Sequence, residues 1–182
     1  MNELPDEKLV ELCKEGKRDA FNALVRRYQT KIYWVIRRLI GDADDAEDVA
    51  QDVFIRAYNA IGEFRGDSQF FTWLYKIAMN LGLNHLRKKK LRTFFKLDDL
   101  GDIHDEQSES PHQELEKEEM RGRIKRAIDS LPEKQKAVFI LRFYDELTYE
   151  EIAAVMRKST GGMKANYFHA VRKIQEYLKH EM

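Results

Sequence analysis

Apolar residues recur at spacings of three and four along almost the whole 182-residue chain, and only three prolines interrupt it. A strand needs alternation, so this period restricts the chain to helices packed by one face. The clearest case runs from Asp19 to Ile40, where Phe21, Leu24, Val25, Tyr28, Ile32, Val35, Ile36 and Leu39 mark a buried stripe and Gly41 a stop. A shorter helix over Pro5–Glu15 precedes it, with Leu9, Val10, Leu12 and Cys13 on one side. A third is expected from Asp42 or Asp44 to Ala60, packed through Val49, Ala50, Val53, Phe54, Ala57 and Tyr58. A fourth should start near Ser68, a good cap residue, with Phe70, Leu74, Ile77, Ala78 and Leu81 inward.

Charge divides the chain where the period fails. Acids and bases number 32 each, so the formal net charge is zero. From Arg87 to Lys96 there are six bases and no acid; from Asp98 to Glu119 there are ten acids and one base. Such segregation produces local fields that a zero total conceals. Residues 96–110 lack apolar period and read as a flexible acidic linker. The expected fold class is therefore all-α, with two small helical domains, 1–95 and 111–182, on either side of it.

The second domain opens with Ser110-Pro111-His112-Gln113, a cap serine, an N1 proline and a reciprocal capping glutamine. Its first helix should reach Asp129 with Leu115, Ile124, Ala127 and Ile128 inward. Ser130-Leu131-Pro132-Glu133 repeats the capping grammar before a helix that buries Ala137, Val138, Ile140 and Leu141. Thr148-Tyr149-Glu150-Glu151 repeats it again before TYEEIAAVM. After Arg157-Lys158-Ser159 a last helix runs from Thr160 to Lys179. Short helix, tight turn and long helix fit a helix-turn-helix, with Ala153 at the close approach and Ile152, Met156, Met163 and Tyr167 fixing the angle. An ordinary helical hairpin has the same spacing.

Several functions are excluded. One cysteine, Cys13, permits neither an internal disulfide nor a thiolate cluster. DADDAEDVAQD fails as a calcium loop, with Glu47 where glycine is required and Val53 where the bidentate glutamate belongs. The five histidines form no HExxH pair, which counts against a helical carboxylate metalloenzyme, and no phosphate loop or nucleophile elbow occurs. Neither a catalytic site, a metal site nor a cofactor is expected. No apolar run could span a bilayer, so membrane insertion is not expected, and MNELPDEK lacks signal-peptide character; the expected location is cytoplasmic.

Two surfaces do ask for a function. Asp48, Gln51, Asp52 and Arg56 continue along the outer face of the third helix beyond the turn that its dipole would explain. In FRGDSQFFTWLYKIAMNLGLNHLRKKK, aromatics, asparagines and cations follow one another, as needed to stack bases, bond their edges and hold phosphates. Lys76, Asn80, Asn84 and Arg87 step by four, four and three along one side. Mid-helix asparagine costs a few tenths of a kcal/mol against alanine, which a binding surface would justify. An amphipathic helix with a solvated basic tail is the plainer account.

The motifs together resemble the bacterial RNA polymerase sigma factors of the extracytoplasmic-function group. DAEDVAQDVFIRAY resembles their core-polymerase-binding helix. FRGDSQFFTWLYKIAMNLGLNHLRKK resembles their promoter-melting and minus-10 segment, and LPEKQKAVFILRFYDELTYEEIAAVM with Lys164, Ala170 and Lys173 their minus-35 domain. The resemblance implies a transcription initiation factor whose partners are core RNA polymerase, promoter DNA and, as for many relatives, an anti-sigma factor. It implies core contact at Asp48, Gln51, Asp52 and Arg56. It implies minus-10 contact at Phe64, Arg65, Asp67, Ser68, Trp73, Lys76, Asn80, Asn84, Arg87 and Lys88, with Lys89 beside them on phosphates. Minus-35 contact falls to Ser159, Thr160, Gly161, Gly162, Lys164, Asn166, His169, Arg172 and Lys173. Gly162, Asn166, His169 and Asn84 depart from the residues usual at their places, so base preference does not carry over. The alternative reading is a stand-alone helix-turn-helix regulator that binds DNA without polymerase.

Overall fold

The computed structural model of the protein describes residues 3–95 and 112–180. Within them the chain forms eight α-helices and one 3-10 turn, with no strand. They are α1 (Asp6–Lys14), α2 (Arg18–Ile40), α3 (Ala43–Ala60), the 3-10 turn Ile61–Glu63, α4 (Phe70–Phe95), α5 (His112–Asp129), α6 (Glu133–Phe143), α7 (Tyr149–Met156) and α8 (Thr160–His180). The expected linker and the Ser110-Pro111 cap lie outside the described residues, as does the side chain of Leu115.

The first four helices pack around α2. Leu24, Ile32, Val35, Ile36 and Leu39 are fully buried there, in one cluster with Leu9, Val53, Leu74 and Ala78. α1 is tied to α2 by Asp6, which accepts from both Arg27 and the Tyr28 hydroxyl. Gly41, at φ +90°, ends α2 in the left-handed conformation, where a side chain would be strained. The Asp42 carboxylate then accepts from Asp45 N at 2.9 Å and starts α3. Where α4 crosses α2, Gly82 leaves room for the buried side chains of Leu39 and Ile36.

The second set of helices packs α6 against α8 and α7, with Ala137, Val138, Ile140, Leu141, Ile152 and Met163 inward. It also docks on the first set. α7 packs along α4, and α6 touches both α2 and α4. One apolar cluster runs through both halves. α4 is consequently buried on two sides: Tyr75 and Met79 are as enclosed as Leu74 and Ala78.

Four local expectations are corrected. α4 starts at Phe70, two residues beyond Ser68. Tyr58 is 46% exposed, its ring edge against Phe21, because the α3 stripe turns outward at that end. Ile124 is 37% exposed and borders a cleft with Trp34 and Phe143. Ser130 does not cap α6; its hydroxyl donates to Ala127 O at 2.7 Å, and Pro132 takes the cap position. That corner is closed by Lys136, buried with its ammonium 2.7 Å from Asp129.

Candidate nucleic-acid interface

The 3-10 turn after α3 throws the chain into an exposed loop over residues 64–69, in which Gly66 takes φ +79°. Arg65, Asp67 and Ser68 are exposed on it. Phe64 is half-buried: its ring lies 6.2 Å from Phe70 and 5.2 Å from Trp73, and these two stand 5.6 Å apart. Trp73 is thereby a wall of an aromatic box that seats the loop, so its ring is committed mainly to packing. Beside the box is a cleft of about 290 Å3, lined by Phe64, Arg65 and Ser68 from the loop and by Glu7, Glu11 and Lys14 from α1.

The stripe on α4 is continuous with this loop. Asn80, Asn84, Arg87 and Lys88 are exposed and Lys76 is half-buried. Arg87 donates to Asn84 Oδ1 at 3.3 Å, which orients the amide of Asn84. Lys89 points elsewhere: its ammonium meets Asp45 Oδ2 at 2.8 Å, with His85 Nε2 3.2 Å from the same oxygen. The Lys89 hydrogen bond holds the Asp45 carboxyl below the ordinary carboxylate range. Lys89 thus fastens the start of α3 to α4.

On α3, Asp48, Gln51, Asp52 and Arg56 are all exposed. They share their face with Ile55, 57% exposed, which the sequence reading passed over. Its signal was an isoleucine off the buried stripe, within a turn of Asp52. Acid, amide, apolar and guanidinium groups thus lie side by side on this face.

The helix-turn-helix is built as its caps predict. Thr148 Oγ1 accepts from Glu151 N at 3.2 Å, and the Glu151 carboxylate accepts from Thr148 N at 2.7 Å. Arg157, at φ +52°, ends α7, and Ser159 Oγ accepts from Gly162 N at 3.2 Å to start α8. Ser159 therefore serves as a cap. Lys164, His169, Arg172 and Lys173 are exposed along α8, as is Gly161, while Thr160 and Gly162 are half-buried. Arg172 pairs with Glu176 at 2.8 Å. Asn166 turns its amide back to Gly162 O at 2.7 Å. One residue was missed here too. Phe168 is 63% exposed, four residues from both Lys164 and Arg172 on the same face. It falls outside the stripe of Met163, Tyr167, Ala170 and Ile174, which was the available signal.

Comparison with known proteins agrees with this layout. The family described as Sigma-70 region 2 matches residues 24–92, and Sigma-70, region 4 matches residues 121–174. The RNA polymerase sigma-H factor of Pseudomonas aeruginosa is 39% identical, over 96% of this chain and 94% of its own. The ECF RNA polymerase sigma-E factor of Escherichia coli is 40% identical, over 92% and 91%. Among solved structures, CnrH in complex with the cytosolic domain of CnrY superposes with a TM-score of 0.70, at 22% identity over 97% of this chain and 99% of its own. The sigma factor RpoE of Bartonella quintana, solved with the anti-sigma factor NepR, gives 0.67 at 24% identity, over 87% and 96%. These two share the fold. With both regions present in order and near-full-length relatives at about 40% identity, the chain belongs to the extracytoplasmic-function group of the sigma-70 family of RNA polymerase sigma factors.

Proposed function

We propose that this sigma factor divides its work among three surfaces. The outer face of α3, through Asp48, Gln51, Asp52 and Arg56 with Ile55 between them, docks on core RNA polymerase. Loop 64–69 and the α4 stripe capture unpaired minus-10 bases, with Asn80 and Asn84 on base edges and Lys76, Arg87 and Lys88 on phosphates. The start of α8 reads the minus-35 duplex, with Lys164, His169, Arg172 and Lys173 at the DNA and Phe168 placed to meet a thymine methyl. The working units are 1–95 and 111–182, joined by 96–110.

The observation that carries this reading is that Asn80, Asn84 and Arg87 are all exposed on one line of α4, although asparagine is a poor mid-helix residue. Extruding a base costs a few kcal/mol and needs a site to offset it. The protein does no chemistry itself; it directs where polymerase starts.

An anti-sigma factor is a further proposed partner, and the cytoplasm the proposed place of action. A cleft of about 550 Å3 between α2 and α5–α6 supports such a partner. Trp34, Ile124 and Phe143 give it an apolar floor, and Arg37, Arg121 and Lys125 a cationic rim. That chemistry suits an acidic amphipathic helix.

Run-off transcription tests the whole reading. Core polymerase with this protein should give promoter-specific transcripts that core alone does not. Sequence-specific DNA binding without any effect on core polymerase would instead favour a stand-alone regulator.

A further inference from the structure

The base-capture loop is held from one unexpected side. α1 lies outside the stretch that matches region 2, which begins at residue 24. Yet α1 packs on the 3-10 turn and forms one wall of the cleft beside loop 64–69. Lys14, its last residue, donates from Nζ to the carbonyl of Phe64 at 2.6 Å. A lysine in the last turn suits the helix dipole, but this ammonium is spent on a carbonyl fifty residues away in the chain. Phe64 is the residue where the chain leaves the 3-10 turn and enters the loop.

We propose that α1 is the second wall of the minus-10 base pocket and that Lys14 is its positioning residue, setting the width between α1 and the loop through the Phe64 carbonyl. This rests on the reading of loop 64–69 as the base-capture element. α1 is rigid enough for the task, because Asp6 binds both Arg27 and Tyr28 on α2. Charge orients the strand. The cleft beside α1 balances Glu7 and Glu11, the latter paired with Lys8 at 2.8 Å, against Lys14 and Arg65, whereas Lys76, Arg87 and Lys88 on α4 add cations with no acid among them and attract phosphate. The backbone then runs along α4, and an extruded base points toward α1, between the carboxylates and the ring of Phe64. Without the Lys14 bond, the aromatic box still seats the ring of Phe64, but the loop beyond it loses its tie to α1 and can shift about Gly66, at φ +79°.

The experiment is promoter opening by the full protein bound to core polymerase. Non-template strands carry an abasic site at each minus-10 position in turn. Lys14→Met keeps the aliphatic stem and removes the ammonium. On intact promoter it should lower open-complex formation about tenfold, the scale of one charge-assisted hydrogen bond, while core binding is unchanged. Lys14→Arg should restore most of the activity. On the template that is abasic at the captured position, wild type and Lys14→Met should be equal, because no base remains to be held. Wild-type activity on intact promoter from Lys14→Met would overturn the proposal. So would the same tenfold loss on every abasic template, or a parallel loss of core binding. A wild-type protein indifferent to every abasic site would refute base capture by this loop, whatever Lys14 does.

Discussion

The hydroxyl of Tyr75 on α4 lies 3.5 Å from Asp145 Oδ1, in the segment that leads into the helix-turn-helix. Around this pair, Arg38 stacks its guanidinium 4.4 Å from the Tyr144 ring centroid, and a cleft of about 510 Å3 separates α2 and α4 from residues 144–147. The contact joins the half built from α1–α4 to the half that carries the helix-turn-helix. It also buries an acid. Desolvation raises the Asp145 carboxyl to about 6, against the pull of Arg38, Tyr75 and Lys31 toward lower values.

That shift gives docking of the two halves a pH dependence. The docked carboxyl is raised to about 6, against 3.8 for an ordinary aspartate in water, the value expected once the halves separate. Docking therefore favours the protonated form: its contribution is full below the lower value and is lost as pH rises through the higher one. Other charges facing the site are Lys31 and Arg38 from α2 and Glu146 beside it. Acidifying the free protein from pH 7.5 to 5.5 should shift an inter-half distance distribution toward the docked state, by a few-fold in population. Asp145→Asn should be docked at both pH values; a variant with the wild-type pH response would contradict the assignment to Asp145.

At the crossing of α2 and α4, a Cβ on Gly82 would stand 2.7 Å from Leu39 Cδ2 and 3.2 Å from Ile36 Cδ1. Both are terminal methyls of fully buried side chains, so they must shift within a packed core. Gly82→Val should destabilise the protein by about 1–3 kcal/mol, as overpacking does. A urea midpoint lowered at constant m-value would show it.

The Thr148 capping box sets the start of α7. Thr148→Ala should cost about 1 kcal/mol and weaken binding of a minus-35 duplex, while Ser130→Ala, whose hydroxyl caps nothing at α6, should leave α6 unchanged. Thermal melts and duplex titrations of the two variants compare them directly.

The α3 face predicts a separable defect. Asp52→Lys should weaken capture of core polymerase, and Ile55→Ala should do so more mildly, by roughly 1 kcal/mol, the lost burial of part of an isoleucine. Pull-down of core polymerase by tagged protein reads both. Undiminished capture by Asp52→Lys would remove this face from the interface.

Much of this was legible in the chain because it is local. The α2 stripe, the Thr148 box and the turn at Arg157 each depend on residues within one or two turns, as does the start of α3, which the sequence narrowed to Asp42 or Asp44. What was not legible depends on which distant surface arrives. Tyr75 and Met79 are buried because the helix-turn-helix half docks on α4, and no period within α4 announces a second buried side. Ser130 and Thr148 carry the same capping grammar, yet Ser130 bonds backward to Ala127 because it closes α5 before Pro132 begins the next turn. Among site residues, Asn80, Asn84 and Arg87 stood out by being unfavourable or charged where nothing required it. Ile55, Phe168 and Lys14 did not, since their meaning rests on exposure or on a partner far away in sequence.

The central claim is that α4 and loop 64–69 hold single-stranded promoter bases. Permanganate reactivity of minus-10 thymines, in a complex of core polymerase, promoter and this protein, tests it most directly. Asn80→Ala should lose most of that reactivity while binding core polymerase as wild type does. Full reactivity from Asn80→Ala, or loss of core binding in step with loss of melting, would contradict the account.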